Sequence, residues 1–226
     1  MLSVIIVIPA FNEEKTIQAV IESIKLCSNN VDILVVDDGS SDQTPQIVKK
    51  TGAILLSNKK NMGYDNSLEK GLFYGYNQGY DYGITMDADG QHPAEDIARF
   101  IDSFNNDFLL VIGIRGKLQR VSEYIFAFFS KYLWGIYDPL CGMKGYKLSL
   151  LNTFGFFDSY QSMGTEFSIR LTKSGIKIQQ LNLSRIINRL DEPRLGSSFK
   201  ANMYILRSLI YGIIKTSGSS KLKINK

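Results

Sequence analysis

Three short apolar runs, Ser3–Ile8, Val31–Val36 and Tyr82–Met86, each break off into a loop rich in Asp, Asn or Gly. A strand buried on both faces reads as such an uninterrupted run, and strands of this kind belong to parallel sheets covered by helices. The stretches between them carry helical signals. Ile17, Val20, Ile21 and Ile24 fall on one face of a helix that Asn12 would cap, with Glu13 and Glu14 in its first turn. Thr44, capping a helix with Pro45 in its first turn, marks a second. Leu68–Tyr80 reads as a third despite three glycines, and Ala94–Phe104 as a fourth. Ala53–Leu56 and Phe108–Ile112 add two more strands. Repeated β-α units predict an α/β fold with a mostly parallel sheet and right-handed crossovers. In such sheets ligands bind at the carboxyl ends of the strands, and the loops 9–14, 37–42 and 87–93 all fall at that edge.

The last of these loops, Asp87-Ala-Asp-Gly-Gln-His-Pro93, sets two carboxylates one residue apart where a strand gives way to a loop. Both can face one hard cation, which takes oxygen ligands and can bridge to the phosphates of a nucleotide. A calcium-binding EF-hand is excluded: its sixth and twelfth positions, Gly and Glu, are His92 and Ala98 here. Asp37 and Asp38 can accept hydrogen bonds from a base or a ribose, and on their own they also suit a tight turn. No two glycines are spaced as Gly-x-Gly and no Gly-Lys-Ser/Thr loop occurs. A nucleotide here would have its phosphates neutralised by metal and basic side chains.

Charge is divided along the chain. Residues 1–113 hold 16 acidic against 8 basic side chains, and residues 114–226 hold 6 against 18. The acidic half suits a metal and the basic half an anionic partner. No zinc-finger spacing or clear RNA-binding motif is present, so a phosphorylated acceptor or an anionic membrane surface fits better than nucleic acid. Cys27 and Cys141 match no metal spacing and suggest core packing in a reducing compartment. The apolar start lacks a basic leader, and Met203–Ile214, interrupted by Arg207, is about half a membrane span.

Taken together, Val7-Ile-Pro-Ala-Phe-Asn-Glu-Glu14, Val35-Val-Asp-Asp-Gly-Ser-Ser-Asp42 and Asp87–Pro93 resemble, in order and spacing, the inverting family 2 glycosyltransferases of GT-A fold. The nearest resemblance is to the dolichyl-phosphate mannose synthase-like branch, which moves a sugar from a nucleotide to a polyprenyl phosphate. It runs from residue 3 to about residue 215. The resemblance implies that Pro9, Glu13, Asp37 and Asp38 surround the donor nucleotide, and that Asp87, Asp89 and Gln91, with Ala88 between, hold a metal (Mg²⁺ or Mn²⁺) and the diphosphate. Gly63–Gly71 resembles a donor-side segment in which the family usually has more small residues. Arg115 and Arg120 match acceptor-side arginines. Asp138, in Asp138-Pro-Leu-Cys-Gly-Met-Lys-Gly-Tyr146, matches the segment lining the acceptor face, and Glu166 a carboxylate beneath the reaction centre. Arg194 matches an arginine that closes on the donor phosphates, one residue out of step, with Arg189 as the competing candidate.

The catalytic set implied is thus Asp89, Asp138, Arg115 and Glu166. A hydroxyl acceptor would need Asp138 as general base, whereas a phosphate is already ionised and needs steering by Arg115 and Arg120. The division expected is a transferase domain over 1–196, with a donor half (1–113) and an acceptor half (114–196), then a C-terminal amphipathic helix and polar tail over 197–226. Tyr124–Tyr137 and Phe199–Lys215 mix aromatic, aliphatic and basic residues. Either suits an interfacial helix, placing the protein at the inner face of the membrane. Two further readings stand beside this one: a transferase extending a surface glycan, and a nucleotide-sugar binding protein without catalysis.

Overall fold

Strand β1 (Val4–Ala10) lies near the middle of the sheet, buried along its whole length, because helices cover both of its faces. In the computed structural model, which describes residues 2–155, 157–159, 162–184 and 198–217, the chain alternates strand and helix from there. Helix α1 (Ile17–Cys27), β2 (Asp32–Asp37), α2 (Thr44–Thr51), β3 (Ile54–Ser57), α3 (Tyr64–Asn77) and β4 (Tyr82–Thr85) form the first half. A 3-10 turn (Ala94–Asp96), α4 (Ile97–Asn105), β5 (Leu110–Ile114), α5 (Val121–Trp134), β6 (Lys144–Lys147), α6 (Ser149–Phe154), α7 (Thr165–Lys173), β7 (Ile178–Asn182) and α8 (Ser198–Ser217) follow.

Among the described residues the strands form one seven-stranded sheet in the order β3-β2-β1-β4-β6-β5-β7. All neighbours run parallel except β6, which is antiparallel to β4 and β5. Alternate residues of β1 feed two apolar layers. Ile6 and Ile8 join Ile17, Ile21, Ile24, Ile97 and Phe100 on one face. Ile5 and Val7 join Leu68, Leu72, Phe126, Phe167 and Ile205 on the other. The glycines that count against α3 as a helix are where it touches the sheet: a Cβ on Gly71 would collide with Val7, and one on Gly75 would come within 2.9 Å of Ile5. Here close packing outweighs helix propensity.

The structure moves two expected helix boundaries. Asn12 caps no helix. It has φ 53°, its Oδ1 accepts from the Ser41 amide at 2.8 Å, and α1 begins only at Ile17, so Glu13 and Glu14 lie in the loop. Asn12 therefore joins two loops instead of starting a helix, a use its short amide permits in the left-handed region. Thr44 is likewise inside α2 and bridges, its hydroxyl accepting from the Glu13 amide and donating to Asp42. Strand β6 has no counterpart in the sequence reading. Of the two cysteines, Cys141 is buried but Cys27 is exposed and contributes nothing to the core. Arg189, Arg194, the 196/197 boundary and the tail after Ser217 lie outside the described residues.

Candidate active site

At the carboxyl ends of β1, β2 and β4 a cleft of about 680 Å³ opens between the parallel strands and the elements that follow β5. Pro9, Glu13, Asp38, Asp87, Ala88, Asp89 and Gln91 line one side, and Arg115, Lys117, Arg120 and Glu123 the other. Tyr204 and Ile205 of α8 reach into the same space. The sequence-derived set is therefore largely brought together, with three exceptions among the described residues: Asp37, Glu166 and Asp138, which lies behind Arg115.

Asp37 ends β2 beneath the cleft, and its Oδ1 caps the turn by accepting from the Ser40 amide at 3.1 Å. It is Asp38 that faces the cleft. Its carboxylate gathers the Met62 amide (2.9 Å), the Gly63 amide (2.8 Å) and the Asn58 side-chain amide (2.8 Å), which fixes the loop entering α3. Glu166 is fully buried and does not line the cleft. It accepts from the Ser159 amide and hydroxyl and pairs with Arg170 at 2.7 Å, so it holds the segment before α7. A buried carboxylate with four donors is satisfied as it stands.

The Asp87 carboxylate is held from several directions. Tyr64 donates its hydroxyl to Oδ1 at 2.7 Å. The Asp87 amide donates to His92 Nδ1 at 3.0 Å, so the neutral ring carries its proton on Nε2, which faces Asp87 Oδ2 at 3.6 Å. Gly142 closes the third side: a Cβ there would sit 2.5 Å from Asp87 Oδ2 and 2.8 Å from the His92 ring. Asp89 takes the Gln91 amide on Oδ1 at 3.0 Å, which folds the loop back so that Gln91 also faces the cleft. Burial and the neighbouring Asp87 push the Tyr64 phenol well above its ordinary range, so it remains a donor.

This donor set fits Mg²⁺ or Mn²⁺. Two carboxylates and an amide face one cleft with oxygen ligands, and such ions keep part of their coordination shell for water and substrate phosphates. Among the described residues no group of three or more His, Cys, Asp or Glu could hold a metal ion. The protein thus offers a partial shell and leaves positions for a ligand.

The opposite wall is built from ion pairs. Arg115 donates from Nε and Nη2 to the two oxygens of Asp138, both at 2.8 Å, and its amide donates to the same carboxylate at 3.0 Å. Glu123 approaches Nη2 at 3.1 Å. The side chains of Arg115, Asp138 and Glu123 are 15%, 2% and 6% exposed, and the two carboxylates hold the guanidinium above its usual basicity. Beneath them Lys144 is buried and donates to the carbonyls of Pro139 and Met163, both at 2.8 Å, which ties two cleft-lining loops together. Burial brings its ammonium down to about 8. Asp65, in the first turn of α3, accepts from the Gly164 amide, and burial beside Asp158 lifts its carboxyl to about 7. Tyr64, Asp65, Glu123, Gly142 and Tyr204 are cleft residues to which the sequence reading gave no role. For Tyr64 and Asp65 a signal existed, since they stand in the segment where the resemblance leads one to expect small residues.

The Glycosyl transferase family 2 profile matches residues 5–150. The chain belongs to that family. It is 31% identical over 177 residues to a UDP-N-acetylglucosamine–dolichyl-phosphate N-acetylglucosaminyltransferase of Methanococcus voltae, covering 65% of this chain and 70% of that one. It is 26% identical over 223 residues to a polyprenol monophosphomannose synthase of Mycolicibacterium smegmatis, covering 88% and 84%. Glucosyl-3-phosphoglycerate synthase from Mycobacterium tuberculosis, solved with Mn²⁺ and UDP-glucose, superposes with a TM-score of 0.73 at 22% identity, over 93% of this chain and 79% of that one. That likeness establishes the GT-A fold, and membership of the family makes the protein a glycosyltransferase.

Proposed function

We propose that this glycosyltransferase moves a sugar, with inversion, from a UDP- or GDP-linked donor to a polyprenyl phosphate. One observation carries the choice of acceptor. Asp138, the carboxylate a hydroxyl acceptor would need as base, already takes three donors from Arg115. An acceptor that arrives ionised needs no base, and the names of the relatives from Methanococcus and Mycolicibacterium point to lipid phosphates.

In this reading Asp87, Asp89 and Gln91 hold Mg²⁺ or Mn²⁺, which when bound stabilises the charge growing on the departing nucleoside diphosphate. Pro9, Glu13 and Asp38 form the wall against which the nucleotide lies. Tyr64, His92 and Gly142 keep the Asp87 carboxylate in one orientation. Arg120 and Lys117 draw the acceptor phosphate into line behind the anomeric carbon. Arg115, fixed by Asp138 and Glu123, shapes that wall, and Asp138 positions it without taking a proton. Glu166 acts on the scaffold alone.

A second reading has one specific observation in its favour. Asp65 is a cleft carboxyl lifted to about 7, the range a general base needs, and it would serve a hydroxyl acceptor. The purified protein with Mn²⁺, labelled UDP- and GDP-sugars and polyprenyl phosphate separates the two. Organic-extractable label that survives Asp65→Asn is the expected result. Donor hydrolysis without lipid labelling, or loss of transfer in Asp65→Asn with donor binding intact, would move the assignment to a hydroxyl acceptor.

A further inference from the structure

Helix α5 is apolar on two opposite faces. Phe126, Ser130 and Trp134 are turned inward with Ser122 and Glu123, while Val121, Tyr124, Ile125, Phe128, Tyr132 and Leu133 are exposed, several of them by more than half. A helix that is apolar all round has apolar surroundings on every side. The core supplies those surroundings on one side only.

Helix α8 packs beside α5, where Ser122 donates its hydroxyl to Asn202 Oδ1 at 2.5 Å, and it repeats the pattern. Ala201, Ile205 and Leu209 face the core, and Phe199, Met203, Ile210 and Ile214 are exposed. The two outer stripes lie on neighbouring helices. Apolar patches of this extent on soluble proteins mark interaction sites.

Charge identifies the partner. Lys131 on α5 and Lys200, Arg207 and Lys215 on α8 are exposed around the patch, and Lys117 and Arg120 stand at its cleft end. The one acidic residue in the two helices, Glu123, is buried against Arg115. Aromatic and aliphatic side chains ringed by cations without exposed carboxylates suit the boundary between acyl chains and anionic headgroups. Among the described residues no helix is long and apolar enough to cross a membrane, so this contact lies on the surface of the bilayer.

We propose that α5 and α8 together form a platform that docks the protein on an anionic lipid bilayer, with the cleft mouth turned toward the headgroups. Arg120 and Glu123 at the start of α5, and Tyr204 and Ile205 of α8, line the cleft, so the platform is continuous with it. A lipid-linked acceptor would pass from bilayer to cleft without crossing water. That last step rests on the proposed function, but the docking surface does not.

The test uses vesicles without acceptor, so that docking is measured apart from transfer. Wild-type protein is sedimented with phosphatidylcholine vesicles and with phosphatidylcholine–phosphatidylglycerol vesicles. A Phe128→Ser/Tyr132→Ser/Ile210→Ser/Ile214→Ser variant, changed only at exposed positions, is compared with it. Expected are binding to the anionic vesicles that weakens with salt, and at least about a tenfold loss of partitioning in the variant. Lys131→Gln/Lys200→Gln should lose about fivefold per charge on anionic vesicles alone. The variant should keep its circular dichroism spectrum and its activity on a short-chain, water-soluble acceptor phosphate. Wild-type protein that stays in the supernatant would overturn the proposal. So would a dimer in light scattering that these substitutions dissolve, because the face would then join two copies of the chain. Vesicle binding by a protein that transfers no sugar to the water-soluble acceptor phosphate would leave the docking surface standing and sink the reaction instead.

Discussion

The two walls of the cleft treat charge in opposite ways. On the side of β1, β2 and β4, Asp38, Asp87 and Asp89 are oriented by amides and a phenol, neutral donors that fix a carboxylate without cancelling its charge. On the side of β5 and β6, Arg115 meets Asp138 and Glu123, and Lys144 is buried near Asp65 and Asp158. The first wall keeps its negative potential for a cation and the diphosphate it would carry. The second neutralises itself and becomes scaffold, with Lys117 and Arg120 left at its rim to face the acceptor. The charged residues of the two walls therefore differ in what removing them should cost.

The largest effect is expected on the first wall. Asp89→Ala should lower transfer by about a thousandfold or more, since it removes a ligand of the charge-stabilising ion. Thermal stability should change by no more than about 0.5 kcal/mol, as for a substitution outside the core. The second wall should do the reverse: Arg115→Ala strands two buried carboxylates and should cost about 3–5 kcal/mol of folding stability, read from denaturant melts. Equal stability losses in the two variants would erase the contrast.

Asp65 gives the contrast a pH dependence. Its folded value of about 7 lies above the ordinary 3.8, so between those values the folded state binds more protons than the unfolded one. Stability of the wild type then falls as pH rises through that window and levels off above it. Asp158, Lys144, Tyr64, Tyr146 and Tyr204 face this carboxyl. Asp65→Asn, which removes the titration, should be relatively more stable at pH 8 than at pH 4, by up to about 4 kcal/mol. Parallel stability curves for the two proteins would refute the assignment. The smallest effect sharpens the first wall: Tyr64→Phe frees the Asp87 carboxylate of one restraint and should weaken Mn²⁺ binding by about 10- to 100-fold in a paramagnetic titration. An unchanged affinity would make the 2.7 Å contact incidental.

The same contrast explains what could be read from the sequence. The first wall is made of loops that directly follow apolar strands, so Pro9, Asp38, Asp87 and Asp89 announce themselves by local pattern and spacing. Even there the choice between Asp37 and Asp38 was not legible, because adjacent residues at a strand end point to opposite sides. The second wall depends on contacts distant in sequence. Strand β6 is four residues, Lys-Gly-Tyr-Lys, with two lysines and a glycine. It is a strand because β4 and β5 flank it, a tertiary effect that overrides propensity. Arg115 finds Asp138 across 23 residues and Asp87 abuts Gly142 only after β4 and β6 pair. Glu166 shows the same limit: its place in a helix near the site was visible, but not that Ser159 and Arg170 enclose it.

At the centre of this account is a nucleoside diphosphate held through a divalent ion on Asp87 and Asp89. Calorimetric titration of UDP and of GDP into wild-type protein and Asp89→Ala, with Mn²⁺ and with EDTA, tests it most directly. One nucleotide should bind the wild type in Mn²⁺, and both EDTA and Asp89→Ala should abolish that binding. Nucleotide binding that is indifferent to EDTA and to the loss of Asp89 would contradict it.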